Sequence, residues 1–407
     1  MPALETKYDE NSTQRAARDR VVAEIARGVV GSRAEISRHS GLARSTVGQQ
    51  IDYLISVGLI REDAPSESAR GRPARKLSID PHAGGIAVAD IDTQATRLAI
   101  ADLAGNQVAS QVLDVPLERG PGIVLPAVAQ ALRELRPPEH VGPIRQVVVG
   151  VPGPVDFRRG IVVRPPIMAG WDGHPISDDL GARLGAPTIV DNDVNIAAVA
   201  EASQPYAGLP LLVLKVDAGI GVGIVMADRT VQHGADGAAG DVGHIRVGDI
   251  DELCTCGNTG CLEAVASLTA VLRQLGISHA TADEYTLGID ILRARLVAGD
   301  ADAMRAIRKA SERIGQVAAS MVQLLNPRTL VLSGAFSIRH DELLSGVRAE
   351  VYQRSVPLAT RELTLTTSQL GENAGVLGGI ELGMQEILRP AGVRRVIAEL
   401  RAERQPS

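Results

Sequence analysis

Residues 244–263 read His244-Ile-Arg-Val-Gly-Asp-Ile-Asp-Glu-Leu-Cys254-Thr-Cys256-Gly-Asn-Thr-Gly-Cys261-Leu-Glu263. All three cysteines of the 407-residue chain fall within eight positions, and a histidine stands ten positions before the first. Three thiolates and one imidazole complete a tetrahedral zinc shell and leave no position for a reactive water. Gly257 and Gly260 suit a loop that folds tightly round an ion. The stretch therefore predicts one structural zinc per chain, held by His244, Cys254, Cys256 and Cys261. Such a site stiffens a fold and performs no chemistry, so its purpose has to be read from its flanks.

The length predicts two or three domains, and a hydrophobic content of 45% suffices to bury their cores. With only 2% aromatic residues, those cores are built from Ala, Val, Leu and Ile. The first residues carry no apolar signal region, and the longest apolar run, near Leu209–Leu214, is cut by Lys215 and Asp217. A secretory signal and a membrane span are thus not expected. With every cysteine committed to the metal, no disulfide is expected either, which fits a reducing cytoplasm. The net charge of −6 is uneven: residues 1–80 hold 13 basic against 11 acidic side chains, the remainder 29 against 37. An acidic body with a slightly basic head permits DNA contact by the head alone.

The head reads as three helices. Apolar positions at Ala17, Val21, Ile25 and Val29 lie on one helical face within 14–30. Ser32 stands three residues before Glu35, a capping box opening a second helix over 33–39, and Gly41 marks the turn. A third helix is predicted from Arg44 to Val57, its apolar face carrying Val47, Ile51 and Leu54. Arg44, Ser45, Thr46, Gln49 and Gln50 are its candidate DNA contacts, able to reach base edges or phosphates in a major groove. After a strand near Ile60, residues 66–75 form a basic wing, and Lys76-Leu-Ser-Ile-Asp is the returning strand. Arg70, Arg72, Arg75 and Lys76 suit insertion into a minor groove. Residues 1–80 are therefore a winged helix-turn-helix, followed by a linker over 81–84.

The body alternates strands and helices, an α/β pattern with functional residues at strand ends. Gln146–Val151 is a buried strand entering Pro152-Gly-Pro-Val-Asp156, and Thr188-Ile-Val-Asp-Asn-Asp193 is another with acids at its carboxyl end, continued by an Ala-rich helix over Val194–Glu201. Asp217-Ala-Gly-Ile-Gly-Val-Gly223 is a glycine-rich hairpin between strands.

Together, Gly150-Val-Pro-Gly-Pro-Val-Asp, Asn192-Asp193-x-Asn195, Gly219-Ile-Gly-x-Gly, Gly243-His244 and Cys-x-Cys-Gly-x-x-Gly-Cys-x-Glu resemble the ROK family of repressors and sugar kinases (repressor, open reading frame, kinase). The resemblance implies a two-lobed, actin-like fold with a ribonuclease-H-type sheet in each lobe. The expected boundaries are a small lobe over 85–200, completed by about 375–390, a large lobe over 201–374 holding the zinc, and a tail over 391–407. It also implies that Asn192, Asp193, Asp241, His244 and Glu263 bind a sugar, and that Asp193 is the general base in catalytic members.

Three departures separate this chain from a kinase. The family's first phosphate loop, Asp-x-Gly-Gly-Thr, is here Asp90-Ile-Asp92-Thr-Gln. Asp92 blocks close backbone approach to a phosphate and adds repulsion worth roughly 4 kcal/mol per charge pair at ~4 Å and an effective dielectric of ~20. The second loop begins Asp217-Ala218 in place of Gly-Thr, and the sugar-side Glu of Gly-Glu-x-Gly-His is Asp241. Pro165-Pro166-Ile167 also lacks the Asn-Pro often found before Trp171. The expectation is a non-catalytic, sugar-responsive regulator, acting as a homodimer or homotetramer on an operator of two half-sites. The rival readings are an active ATP-dependent sugar kinase carrying a DNA-binding head, and a regulator controlled by a protein partner.

Overall fold

The computed structural model describes residues 12–26, 32–62, 76–93, 95–137, 139, 141–336 and 341–404. Its head contains α1 (Ser12–Ala26), α2 (Arg33–Ser40) and α3 (Arg44–Val57). Ser32 and Glu35 close the capping box in both directions, and Gly41 takes the left-handed conformation (φ 68°) that turns the chain into α3. Ala17 is buried, and Val21 and Ile25 share a core cluster with Ile36, Val47, Ile51 and Leu54, while Val29 lies outside the described residues. Strand β1 (Ile60–Glu62) pairs antiparallel with β2 (Leu77–Ile79). The predicted wing between them, with Arg70, Arg72 and Arg75, lies outside the described residues.

The small lobe is built on β3 (Gly85–Ile91), β4 (Thr96–Asp102), β5 (Gln107–Leu113) and β6 (Ile144–Val151). The short β7 (Val155–Asp156) and β8 (Ile161–Val162) follow, then β9 (Thr188–Asn192). The sheet order is β5-β4-β3-β6-β9, antiparallel on the β5 side of β3 and parallel from β3 to β9. Helices α4 (Pro121–Leu135) and α5 (Ile176–Leu184) pack against this sheet, and α6 (Asp193–Ala202) leaves the end of β9. The large lobe begins with β10 (Leu211–Val216) and β11 (Ile220–Val225), then runs through α7 (Leu262–Ala266), α8 (Leu268–Gln274), α9 (Ala282–Val297) and α10 (Ala301–Leu325). It closes with β12 (Thr329–Ser333), α11 (Asp341–Arg354), α12 (Pro357–Thr360) and β13 (Thr364–Thr367). Its sheet, β11-β10-β12-β13, follows the plan of the first with one antiparallel strand fewer: an antiparallel hairpin, then parallel strands. Parallel strands are buried on both faces, which is why Leu211–Leu214 and Thr329–Ser333 read as apolar runs.

The chain then returns to the small lobe as α13 (Ala374–Leu388), which packs on β3, β6 and α6. A Cβ on Gly378 would stand 1.8 Å from the Ile196 carbonyl oxygen, so α13 meets α6 backbone to backbone, a contact only glycine allows. The segment expected as a tail is a helix, α14 (Pro390–Arg404). Val393, Val396, Ile397 and Leu400 form its buried stripe and join one core cluster with Val21, Ile51 and Leu54 of the head and Ile86 and Val88 of β3. The expected linker is likewise a 3-10 turn (Pro81–Ala83) with Ala83 buried in that cluster. Apolar burial won over local charge and length in both places.

Candidate functional site

The carboxyl ends of β3, β6, β9 and β10 face one cleft between the lobes, where open α/β sheets place ligands. Its empty volume is about 920 Å³, counting the open mouth. From the small lobe, Asp92, Asn192 and Asp193 line it; from the large lobe, Lys215, Asp217, Asp241, His244 and Glu263. Pro166 and Ile167 give it an apolar wall where the sequence lacks the Asn-Pro.

Asn192 ends β9 and caps α6. Its Oδ1 accepts from the Val194 N–H (2.9 Å), and its Nδ2 donates to the Gly153 carbonyl (2.8 Å), fixing the Pro152-Gly-Pro154 loop. Asp193 thereby sits in the first turn of α6, where the helix dipole favours a carboxylate. Behind it, Asp191 accepts from Asn195 Nδ2 (3.0 Å) and pairs with His233 Nε2 (2.6 Å). The His233 ring stacks on Phe157 at 4.0 Å, so the loop leading to Asp241 is fastened to the small lobe.

Lys215 Nζ lies 2.6 Å from Asp193 Oδ2 and 3.2 Å from Asp92 Oδ2. Burial would lower the lysine pKa, but the charges of Asp193, Asp92 and Asp217 hold it well above its ordinary value. Burial also raises Asp92, yet Lys215 and the hydrogen bonds from Thr93 and Lys215 leave it below the usual carboxylate range. For Asp193, burial and the Asp92 charge outweigh Lys215, and its pKa is raised. Asp90, one turn of strand behind, is pushed up to about 7, first by burial and then by the Asp92 charge.

Asp217 occupies the turn between β10 and β11. Its Oδ2 accepts from the Ala335 N–H (2.9 Å) beyond β12, and its Oδ1 accepts from the Ala218 N–H (3.0 Å) and the Tyr285 hydroxyl. A side-chain carboxylate thus takes backbone donors that could otherwise receive a phosphate oxygen.

At the opposite wall, Glu263 Oε2 accepts from the Ile220 N–H (3.1 Å), and burial raises its pKa. His244 Nε2 lies 3.8 Å from Asp241 Oδ1, while its Nδ1 faces Cys254 Sγ at 3.6 Å. Cys256 and Cys261 sulfurs are 3.7 Å apart, and the four donor atoms fall within 4.8 Å of one another. A tetrahedron with ~2.3 Å metal–sulfur bonds has edges of about 3.8 Å. The donors therefore fit a metal ion of that kind, with one imidazole nitrogen for the metal and the other for the pocket.

On the head, Arg44, Ser45 and Gln49 are exposed, Thr46 is half-buried, and Lys76 is exposed beside β2. Gln50 departs from its expected place. It is 3% exposed and its Oε1 accepts from Arg18 Nε (3.1 Å), so it cannot reach a base edge. On a 3.6-residue period it falls one position round from Gln49, onto the face that meets α1. Sequence reasoning also passed over Lys215, Asp191, His233 and Tyr285. The one signal was a lone lysine inside an otherwise apolar strand.

The family model described as "ROK family" matches residues 86–386. The xylose repressor of Caldicellulosiruptor bescii is 26% identical over 371 residues, spanning 88% of this chain and 92% of that protein. A glucokinase of Halalkalibacterium halodurans is 29% identical over 307 residues, spanning 71% of this chain and 92% of that protein. Among solved structures, a ROK family transcriptional regulator described as a homologue of the E. coli MLC protein superposes with a TM-score of 0.78. It covers 95% of this chain and 100% of that one at 23% identity, which speaks to fold. Among the described residues, no helix is long and apolar enough to cross a membrane.

Proposed function

The chain belongs to the ROK family, and from that premise we propose that it is a sugar-responsive DNA-binding repressor whose kinase-like body senses a sugar and does not phosphorylate it. The observation that carries this reading is the contrast between the two ends of the cleft. On the phosphate side, Asp217 caps its own loop and Lys215 is held by Asp92 and Asp193. On the other side, Asp241, His244 and Glu263 line open space with acceptors suited to sugar hydroxyls, and Asn192 and Asp193 line the same cavity. An ATP-dependent kinase using Asp193 as base fits less well, because its base is tied to an ammonium and its phosphate loops carry carboxylates. That relatives named as xylose repressors match the head as well as the body agrees with the regulatory reading.

Zinc at His244, Cys254, Cys256 and Cys261 is the metal we assign, as the fixed floor of the pocket. Arg44, Ser45, Thr46 and Gln49, with Lys76 and the wing arginines, are the DNA contacts, and a dimer or tetramer would present two heads to two half-sites. A sugar bridging Asp193 and Glu263 favours one lobe spacing. α6 passes the movement to α13 through the Gly378 contact, and α14 carries it to the head. A coupling of ~1–3 kcal/mol suffices to change operator occupancy. Sugars titrated into an operator-shift assay test this: the bound fraction should move with the cognate sugar, and indifference to every mono- and disaccharide sinks the reading.

A further inference from the structure

Resting on the sugar-sensing reading, we propose that Lys215 is a built-in cation that ties Asp92 and Asp193 of the small lobe to the large lobe, and that the carboxylates it leaves unbalanced restrict the pocket to sugars carrying no phosphate or carboxylate. Lys215 belongs to β10 of the large lobe, whereas Asp92 follows β3 and Asp193 opens α6 in the small lobe. One ammonium therefore spans the lobes. It has three donors. Asp92 and Asp193 take two, and Lys215 itself lines the cleft.

The charge balance sets what can enter. Asp92, Asp193 and Asp217 surround the lysine, Asp90 lies behind it, and Asp241 and Glu263 stand on the far wall. A single ammonium cannot offset them: Asp90, raised first by its burial, is raised further by the charges of Asp92 and Asp193 even with Lys215 nearby. A phosphate would need backbone N–H donors, but the Ala218 and Ala335 N–H groups are already given to Asp217. Neutral hydroxyls suffer no such penalty: they accept from the lysine and donate to the carboxylates. An amine substituent would gain from the same field.

Two arms test this on the full-length, zinc-saturated protein. In the first, calorimetry compares neutral aldoses with the 2-amino, 6-phosphate and 6-carboxylate forms of the same sugars. The neutral or amino form should bind, and its phosphate and uronate counterparts should bind about 100-fold more weakly or worse at low salt. A phosphate ester binding as tightly as its parent sugar overturns the charge restriction and leaves the sugar reading standing. Silence across the whole set overturns the sugar reading, and the restriction with it.

The second arm needs no sugar. Manganese electron paramagnetic resonance should show Mn²⁺ remaining free with the wild type and being taken up by Lys215→Met, whose carboxylates have lost their cation. That uptake should vanish in Lys215→Met/Asp92→Asn. Equal uptake by wild type and Lys215→Met overturns the built-in cation. If Lys215→Met does not fold, the wild-type calorimetry still decides the ligand class.

Discussion

Arg145 Nη1 lies 3.1 Å from Glu399 Oε2, joining the small-lobe strand β6 to the C-terminal helix α14. The same guanidinium, 4% exposed, reaches Glu403 at 2.8 Å and the Ala83 carbonyl at 3.2 Å. Further along α14, Arg401 lies 5.1 Å over the Tyr53 ring of α3, and Arg404 donates to the Ser56 carbonyl. The helix is held at one side by the sensing lobe and at the other by the helix expected to read DNA.

Removing the lobe-side hold should weaken communication more than DNA binding. Arg145→Met should cost about 1–3 kcal/mol in chemical denaturation, the two glutamates being partly solvated when left alone. Operator affinity without sugar should be retained while the sugar-induced change shrinks. An unchanged sugar response in fluorescence anisotropy would rule out α14 as the route.

Asp90 predicts a pH dependence of definite sign. Its carboxyl is raised from 3.8 to about 7 in the folded chain, so between those values the folded state holds a proton that the unfolded state has released. Stability from this group is therefore full below about pH 4 and declines as pH rises through 7. The limit is about 4 kcal/mol for a shift of roughly three units. Asp90→Asn, neutral throughout, should lose that decline and be the more stable protein at pH 8. Equal pH slopes in urea titrations of the two proteins would remove Asp90 as the cause.

Gln49 and Gln50 should separate cleanly. Gln49→Ala, at an exposed site, should weaken operator binding by about 1–3 kcal/mol if it reads a base, with no change in melting temperature. Gln50→Ala strips Arg18 of a buried acceptor and should cost about 1–3 kcal/mol of stability without altering which operator sequence is preferred.

Metal analysis by mass spectrometry should find one zinc per chain, and Cys256→Ala should lose it. Because His244 offers its other nitrogen to the pocket, the loss should weaken sugar binding along with thermal stability. Sugar binding of full strength in the metal-free protein would separate the two sites.

Much of this was legible where the cause is local. The capping box at Ser32, Gly41 and the apolar spacing from Val47 to Leu54 placed α2 and α3 almost to the residue, because caps and periodicity act over a few positions. The cluster of His244, Cys254, Cys256 and Cys261 could be read because its cysteines lie so close in the chain, and the structure brings its four donor atoms within 4.8 Å of one another. What escaped depends on distance in the chain. Lys215 meets Asp92 from 123 positions away, and no periodicity announces such a pair. α14 did carry a signal, since Val393, Val396, Ile397 and Leu400 recur at helical spacing. Its six charged side chains drew the reading toward a charged tail.

The shared core of α1, α3 and α14 makes the head, the unit proposed to bind DNA, discontinuous in sequence. The first eighty residues hold its helices and hairpin, but its hydrophobic floor arrives with the last fifteen helical residues of the chain. Grafting the N-terminal segment onto another sensor would leave Ile51, Leu54 and Tyr53 without Val396, Leu400 and Arg401 beneath them. A transplantable reader must be cut from both ends of the polypeptide at once. A truncation at residue 389 should therefore disable the head while leaving every one of its own residues in place.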